Sequence, residues 1–306
     1  MKIAVSGANG FVGKAVVNHL RAAGHQVFPL LRKAKPGGDS FSLGDLGDLA
    51  VIKNFPRVNA VVHLAAISTC QNSKTTDCEA EFHRVNVHGT RKLLEASIAA
   101  GARHFLLLSS IKANGESSFP GHPLRIDDAP KPETPYGRSK WEAEQLLMAL
   151  SRSRIDYTIV RPPLIYGPSA AGNLGMLARM VDFGVPLPIG GIDNRRSIAY
   201  IGNVTHFISY CLGNPTARNR TFMVSDETSI STESIVKLIA LAKGKEARLL
   251  SAPVSLLVSL ARLTGKNEQY QKIYGNLEVD ITETTVRCNW QPPFSSWEGF
   301  RETFGV

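Results

Sequence analysis

The chain is short of several things, and each shortage closes a class of function. No run approaches the roughly 20 uninterrupted apolar residues that a bilayer-crossing helix needs, although 43% of the 306 residues are hydrophobic. There are no low-complexity blocks and no internal repeats, so a disordered tail and a solenoid are both excluded. Cysteine is scarce: Cys70, Cys78, Cys211 and Cys288 form no C-x-x-C pair and have no His at metal-ligand spacing. No metal is expected, and all four are expected as reduced fillers. Acidic residues are outnumbered, 26 Asp+Glu against 35 Lys+Arg, for a formal charge of +9. A basic balance favours anionic partners. The cations are scattered apart from Arg32-Lys33-Ala34-Lys35, and no aromatics interleave with them, so nucleic acid is not expected. Ligands carrying several phosphates suit the charge, and so does a plain solvated basic face. The stretch Met1 to Ser6 already reads as a buried strand, with no room ahead of it for a signal peptide. A cytoplasmic protein without stable membrane insertion is therefore expected.

What is present is an alternation. Lys2 to Ser6 reads as a strand, Phe11 to Ala23 as a helix closed by Gly24, and Gln26 to Leu31 and Asn59 to Ala65 as strands. A long helix is expected from about Glu79 to Ala100, ending at Gly101. It is followed by a strand His104 to Ser110, a helix opening near Thr134 and a strand Tyr157 to Arg161. Strands alternating with helices predict an α/β fold, a doubly wound parallel sheet covered on both faces. Beyond Pro162 prolines and glycines crowd the chain up to Gly191 and the rhythm breaks. Residues 1–162 are expected to form a dinucleotide-binding domain, and 163–306 mainly a smaller substrate-binding domain. The stretch 197–212 is expected to return to the first. The apolar stretch Val254 to Leu263 is short and lacks a basic polar face, and reads as a packed helix of the second domain.

Gly7-Ala8-Asn9-Gly10-Phe11-Val12-Gly13 follows the first strand and opens the first helix. Glycines there permit a tight turn, close approach of the backbone to a pyrophosphate, and packing of helix on strand. The helix N-terminus offers unpaired N–H groups to the phosphates. The second strand ends Leu31-Arg32-Lys33 with no carboxylate to take a ribose hydroxyl. Arg32 there suits a 2′-phosphate, so NADP(H) is the favoured cofactor and NAD(H) the alternative. Arg32 and Lys33 as solvated loop charges is the plainer interpretation. Asp45 and Leu46 can line an adenine pocket, with Asp45 as a helix cap the competing role.

Tyr136 and Lys140 stand at i, i+4, behind Thr134 as N-cap and Pro135 as first helical residue, so both side chains share one face. A free Tyr is a poor base at neutral pH; a nearby ammonium and an oxidised nicotinamide lower its pKa. Ser109 and Ser110 end a strand at the carboxyl edge, where such sheets place ligands. A hydroxyl there can bond a substrate oxygen beside Tyr136.

This ordered set, the Gly-rich loop, a strand-end Ser and Tyr-x-x-x-Lys, resembles the short-chain dehydrogenase/reductase superfamily, in its extended branch of nucleotide-sugar epimerases, dehydratases and reductases. Further matching pieces are His63-Leu64-Ala65-Ala66, Asn86-Val87-His88-Gly89-Thr90 and Arg161 to Pro168. The resemblance implies a Rossmann fold and a triad of Ser110, Tyr136 and Lys140. It implies that Leu64, Ala65, Ala66, Asn86, Ser109 and Pro162 join Gly7, Gly10, Phe11, Val12, Gly13, Arg32, Asp45 and Leu46 around the cofactor, Asn86 being as readily structural. Substrate contacts are implied for Ser110, Lys112, Tyr136, Asn173 and Arg196, with Arg195 the adjacent rival. A homodimer through the helices near 79–100 and 134–152 is the family's common assembly, although such faces also simply pack on their own sheet.

Ile111-Lys112 stands where the family's dehydratases carry an Asp-Glu pair, which argues against dehydration. The run Ser109 to Glu116 resembles enzymes of surface-polysaccharide synthesis that reduce UDP-4-keto-6-deoxy-N-acetylhexosamines. The expected function is therefore reduction at C4 of a UDP-sugar. The alternatives are a UDP-hexose 4-epimerase with retained NAD and a non-catalytic dinucleotide-sensing regulator.

Overall fold

A computed structural model describes residues 1–33, 40–48, 52, 54–70, 77–169, 172–251 and 267–305. Lys35 of the basic cluster and the stretch 254–263 lie outside them. Seven parallel strands make the main sheet, in the order β10-β6-β5-β4-β1-β2-β3. They are β1 (Lys2–Ser6), β2 (Gln26–Leu31), β3 (Phe41–Ser42), β4 (Ala60–His63), β5 (His104–Leu108), β6 (Asp156–Arg161) and β10 (Arg220–Met223). The strand order reverses between β1 and β4, which leaves a crevice beyond their carboxyl ends. β3 and β10 go beyond the expected strands; β3 is only two residues long, too short to show a period.

The central strands are buried on both faces, as parallel strands between helical layers must be. Helices α1 (Phe11–Ala22) and α6 (Ile201–Gly213) cover one face around Leu20, Val204, Phe207 and Trp290. Helices α3 (Gly89–Ala99) and α4 (Pro135–Ser151) cover the other around Leu93, Phe105 and Leu147. The long helix expected over 79–100 is continuous but changes pitch. α2 (Cys78–Phe82) runs into a π-helical stretch, His83–His88, before α3 begins. Such stretches recur at functional sites, and this one carries buried Asn86.

The chain from Leu164 onward builds a third cluster around Tyr166, Ile189, Tyr200, Ile239 and Phe300. It holds two small sheets, β7 (Leu164–Tyr166) with β9 (Ile198–Tyr200), and β8 (Leu187–Gly190) with β11 (Leu249–Ser251). Thus β9 pairs outside the main sheet, whereas α6 and β10 pack on it and in it. The buried Asp226 carboxylate knots this half together. It accepts from the Tyr200 N–H at 2.7 Å, Asn203 Nδ2 at 2.8 Å and the Tyr166 hydroxyl at 2.8 Å.

One expectation is overturned. Cys70 and Cys78 are joined in a disulfide with their Cα atoms 5.6 Å apart, within the span such a bridge requires. The two cysteines lie eight residues apart in sequence, and no local motif announces the bond. Cys211 and Cys288 are free and buried, as expected.

Candidate active site

The crevice between β1 and β4 opens into a cleft of about 510 Å³. Its lining brings together Gly7, Gly10, Arg32, Asp45, Leu46, Leu64, Ala65 and Ala66. Gly7 has φ +67, and a Cβ on it would stand 2.8 Å from the Ala65 backbone nitrogen. A Cβ on Gly13 would meet the Gly7 carbonyl oxygen at 2.0 Å. Both positions therefore exclude any side chain, which leaves the loop's backbone bare towards the cleft. Gly10 is the N-cap of α1, and no side-chain hydrogen bond caps the helix there among the described residues. Phe11 packs on the third cluster and Val12 on the first, and neither is among the residues lining the cleft. A bare glycine turn at a helix N-terminus fits the pyrophosphate of a dinucleotide.

A hydrogen-bonded chain sets the cleft's far wall. Ser6 Oγ accepts from the Leu64 and Ala65 N–H groups, both at 3.2 Å, so its own proton goes to His63 Nδ1 at 2.6 Å. His63 is then the Nε2–H tautomer and donates to Thr90 Oγ1 at 3.0 Å. Thr90 in turn donates to the Asn86 carbonyl at 2.6 Å. Burial, with Lys140 adding, pushes the His63 pKa down to about 3, so the ring is a neutral link. Asn86 clamps Ile67, donating to its carbonyl and accepting from its N–H, each at 3.0 Å. Its Nδ2 also donates to Ser139 Oγ at 2.9 Å. Asn86 thereby ties the cleft wall to the helix turn between Tyr136 and Lys140. His63 and Thr90 stand in the pieces that match the family, but their joining through Ser6 spans 57 and 27 residues and shows only in the fold.

That turn opens α4 as expected. Thr134 caps it, accepting from the Gly137 N–H at 3.1 Å, with Pro135 in the first turn. The Ser110 hydroxyl lies near enough to the Tyr136 phenol to draw its pKa down, and the Tyr136 ring meets Phe82 of α2 edge-on at 5.9 Å. Gly137 is where α4 presses on the turn behind Ser110: a Cβ there would stand 2.5 Å from the Lys112 carbonyl oxygen. Lys140 is 3% exposed and donates to the Leu108 carbonyl at 2.8 Å. Burial lowers its pKa to about 8, opposed by Glu144. The Tyr136 phenol stands above its ordinary value, chiefly through burial, with Ser110 pulling it down and Glu116 pushing it up.

Other expected residues fall less simply. The Ser109 hydroxyl donates to Glu144 rather than facing the cleft. Pro162 is buried, its carbonyl accepting from Ile111 at 2.9 Å. Asp45 lines the cleft as expected and caps no helix among the described residues: its carboxylate accepts from the Gly47 N–H at 2.8 Å within a turn and faces Arg84 at 3.5 Å. Lys112 pairs with Glu116. Asn173 is exposed at the start of α5 (Asn173–Asp182), and Arg196 donates to the Gly275 carbonyl at 2.8 Å. Neither lines the cleft described above. Arg195 is exposed. Among the described residues there is no cluster of three or more His, Cys, Asp or Glu suited to a metal and no helix long and apolar enough to cross a membrane.

The sequence profile of the NAD dependent epimerase/dehydratase family matches residues 3–224. The chain belongs to that family. Its fold and enzyme type are those of the extended short-chain dehydrogenases, a nucleotide-sugar epimerase/dehydratase-type oxidoreductase. A UDP-glucose 4-epimerase of Vibrio cholerae is 34% identical over 98% of this chain and 94% of its own length. An undecaprenol-diphosphate-linked N-acetylglucosamine 4-epimerase of Escherichia coli O157:H7 is 27% identical over 60% of this chain and 58% of its own. The solved UDP-glucose 4-epimerase of Thermus thermophilus, in complex with NAD, superposes with a TM-score of 0.76. It is 23% identical and covers 99% of this chain and 98% of that one. At that identity the likeness shows the family's fold alone.

Proposed function

We propose that this protein reduces the 4-keto group of a UDP-4-keto-6-deoxy-N-acetylhexosamine with NADPH, in the cytoplasm and for surface-polysaccharide synthesis. The observation that carries the proposal is the Ser110 hydroxyl set near the Tyr136 phenol, one helical turn from a buried Lys140 that makes a single hydrogen bond among the described residues. The bare loop at Gly7 to Gly13 would hold the pyrophosphate, and Arg32, exposed at the end of β2, would take the 2′-phosphate. When bound, the reduced nicotinamide supplies a hydride. Lys140 would hold the nicotinamide ribose with its remaining N–H donors. Ser110 would orient the C4 carbonyl, and Tyr136 would give its phenolic proton to the oxygen as the carbonyl is reduced. A phenol protonated at neutral pH can act as a donor in that direction. Lys112, Asn173 and Arg196 are proposed for the substrate's sugar and diphosphate, and a homodimer through α2–α3 and α4 for the assembly.

A UDP-hexose 4-epimerase with retained NAD is the second reading, and the 34% identity to the Vibrio cholerae enzyme favours it. Denaturing the purified protein and identifying released nucleotide separates the two, followed by titration with NADPH and NADH. The proposal expects an empty site that prefers NADPH and a Tyr136→Phe protein with almost no turnover. Stoichiometric bound NAD would make Arg32 a bystander and the epimerase reading correct.

A further inference from the structure

The Cys70–Cys78 bond has no part in the hydride and proton transfers, yet it lies beside the cleft. Residues 64–70 leave β4 as neither helix nor strand. Their first four, Leu64 to Ile67, line the cleft, and the Asn86 side chain clamps Ile67 through two hydrogen bonds of 3.0 Å. Three residues further on, Cys70 is fastened to Cys78, the first residue of α2. That anchor is itself fixed. Asp77 caps α2, accepting from the Glu79 and Ala80 N–H groups at 3.0 and 3.2 Å. Glu79 pairs with Arg138 of α4 at 3.0 Å, and Phe82, one turn beyond Cys78, meets the Tyr136 ring. The same helical run carries Val85 into the cleft lining. The bond therefore ties the stretch that forms one wall of the cleft to the helices that carry Asn86 and Tyr136.

We propose that Cys70 and Cys78 are a reversible thiol–disulfide pair that sets the affinity for the dinucleotide, tighter with the bond closed and weaker with it open. Opening takes two electrons and two protons from a dithiol, which is oxidised to its own disulfide and leaves two thiols on the protein; a small-molecule disulfide reverses the exchange. Both cysteines are half-buried and stand among exposed neighbours, Ser68, Thr69, Asp77 and Glu79, so the exchange has access. Cys211 and Cys288 are buried and free, and burial raises both thiols, that of Cys288 to about 11, which keeps them out of it. In the reducing compartment proposed above, such a bond is transient and serves sensing rather than scaffolding. The effect on affinity is one of order. With the bond closed, the wall stretch is held at both Ile67 and Cys70 before the ligand arrives. With it open, the chain beyond Ile67 gains freedom that binding must remove again. The inference concerns the dinucleotide alone and stands apart from the choice between reductase and epimerase.

The test needs no sugar substrate. The full-length protein is equilibrated in dithiothreitol redox buffers, quenched with acid and alkylated, so that mass spectrometry counts two thiols in the closed form and four in the open one. The closed form is expected to bind NADPH or NADH about tenfold more tightly than the open form, read by nicotinamide fluorescence. Linkage then requires saturating nucleotide to move the midpoint of the redox titration by the same factor, about 30 mV towards more negative potential. A bond that only braces the fold would leave that midpoint in place. Cys78→Ser should bind like the open form and ignore the redox buffer, and the wild-type titrations decide the matter even where that variant fails to fold. Equal affinities of the two forms, a midpoint that nucleotide does not move, or four thiols at every potential overturn the inference. A preference for NADH over NADPH would instead count against the reductase reading and leave this result standing.

Discussion

Lys140 and Arg161 are both buried cations at the carboxyl edge of one sheet, each 3% exposed, and the fold treats them oppositely. Arg161 is neutralised completely. Its guanidinium forks onto Glu144, with Nε 3.0 Å from one oxygen and Nη2 on the other. Nη1 donates to Asn114 at 2.7 Å, and the group lies 5.4 Å over the ring of Trp141. Lys140 stands one helical turn before Glu144 yet makes a single hydrogen bond among the described residues, to a backbone carbonyl. The difference teaches how to separate scaffold from site. A buried charge whose hydrogen bonds are all met joins elements together, here α4, β5 through Ser109, and β6. A buried charge with donors to spare is held ready for something the protein does not itself contain.

Removing the carboxylate should break the comparison most severely. Glu144→Ala leaves the Arg161 charge buried and alone, and should cost about 3–5 kcal/mol of stability by chemical denaturation. Glu144→Leu combined with Arg161→Met should be milder than either single change, because no charge is then stranded. Lys140→Met is expected to reverse the pattern. Stability should change by under about 1 kcal/mol, since the lost ammonium was poorly paired, while turnover falls by about a thousandfold. A Lys140→Met protein that unfolds like Glu144→Ala would erase the distinction. Gly137→Ala should cost about 1–3 kcal/mol through its clash with the Lys112 carbonyl. It should lower turnover further by parting Tyr136 from Ser110. The smallest effect belongs to Arg32→Ala, a loss of about tenfold in preference for NADPH over NADH in binding titrations, with stability unchanged.

The comparison also explains what could be read in advance. The alternation of elements, the glycine loop and the Tyr136–Lys140 spacing were legible because each is written within a few residues of itself. Gly13 must be glycine for the sake of Gly7, and Thr134 caps the turn that carries Tyr136. The Ser109–Glu144–Arg161–Asn114 knot was not legible. Its members come from four separate parts of the chain, and only folding shows that the Ser109 hydroxyl turns inward onto Glu144. The Ser6–His63–Thr90 chain escaped for the same reason. No local motif announces the pairing of Cys70 with Cys78, and the contact of Asp45 with Arg84 spans 39 residues. In the second half short strands pair with each other across long separations, so neither period nor motif marked β8, β10 or β11.

Transfer of label from NADPH carrying deuterium at the nicotinamide C4 tests the central claim most directly. In a single turnover with a UDP-4-keto-6-deoxy-N-acetylhexosamine, the account predicts one deuterium at C4 of the sugar and one equivalent of NADP formed. No deuterium in the sugar, together with interconversion of a UDP-hexose by protein purified with its own bound NAD, would contradict it.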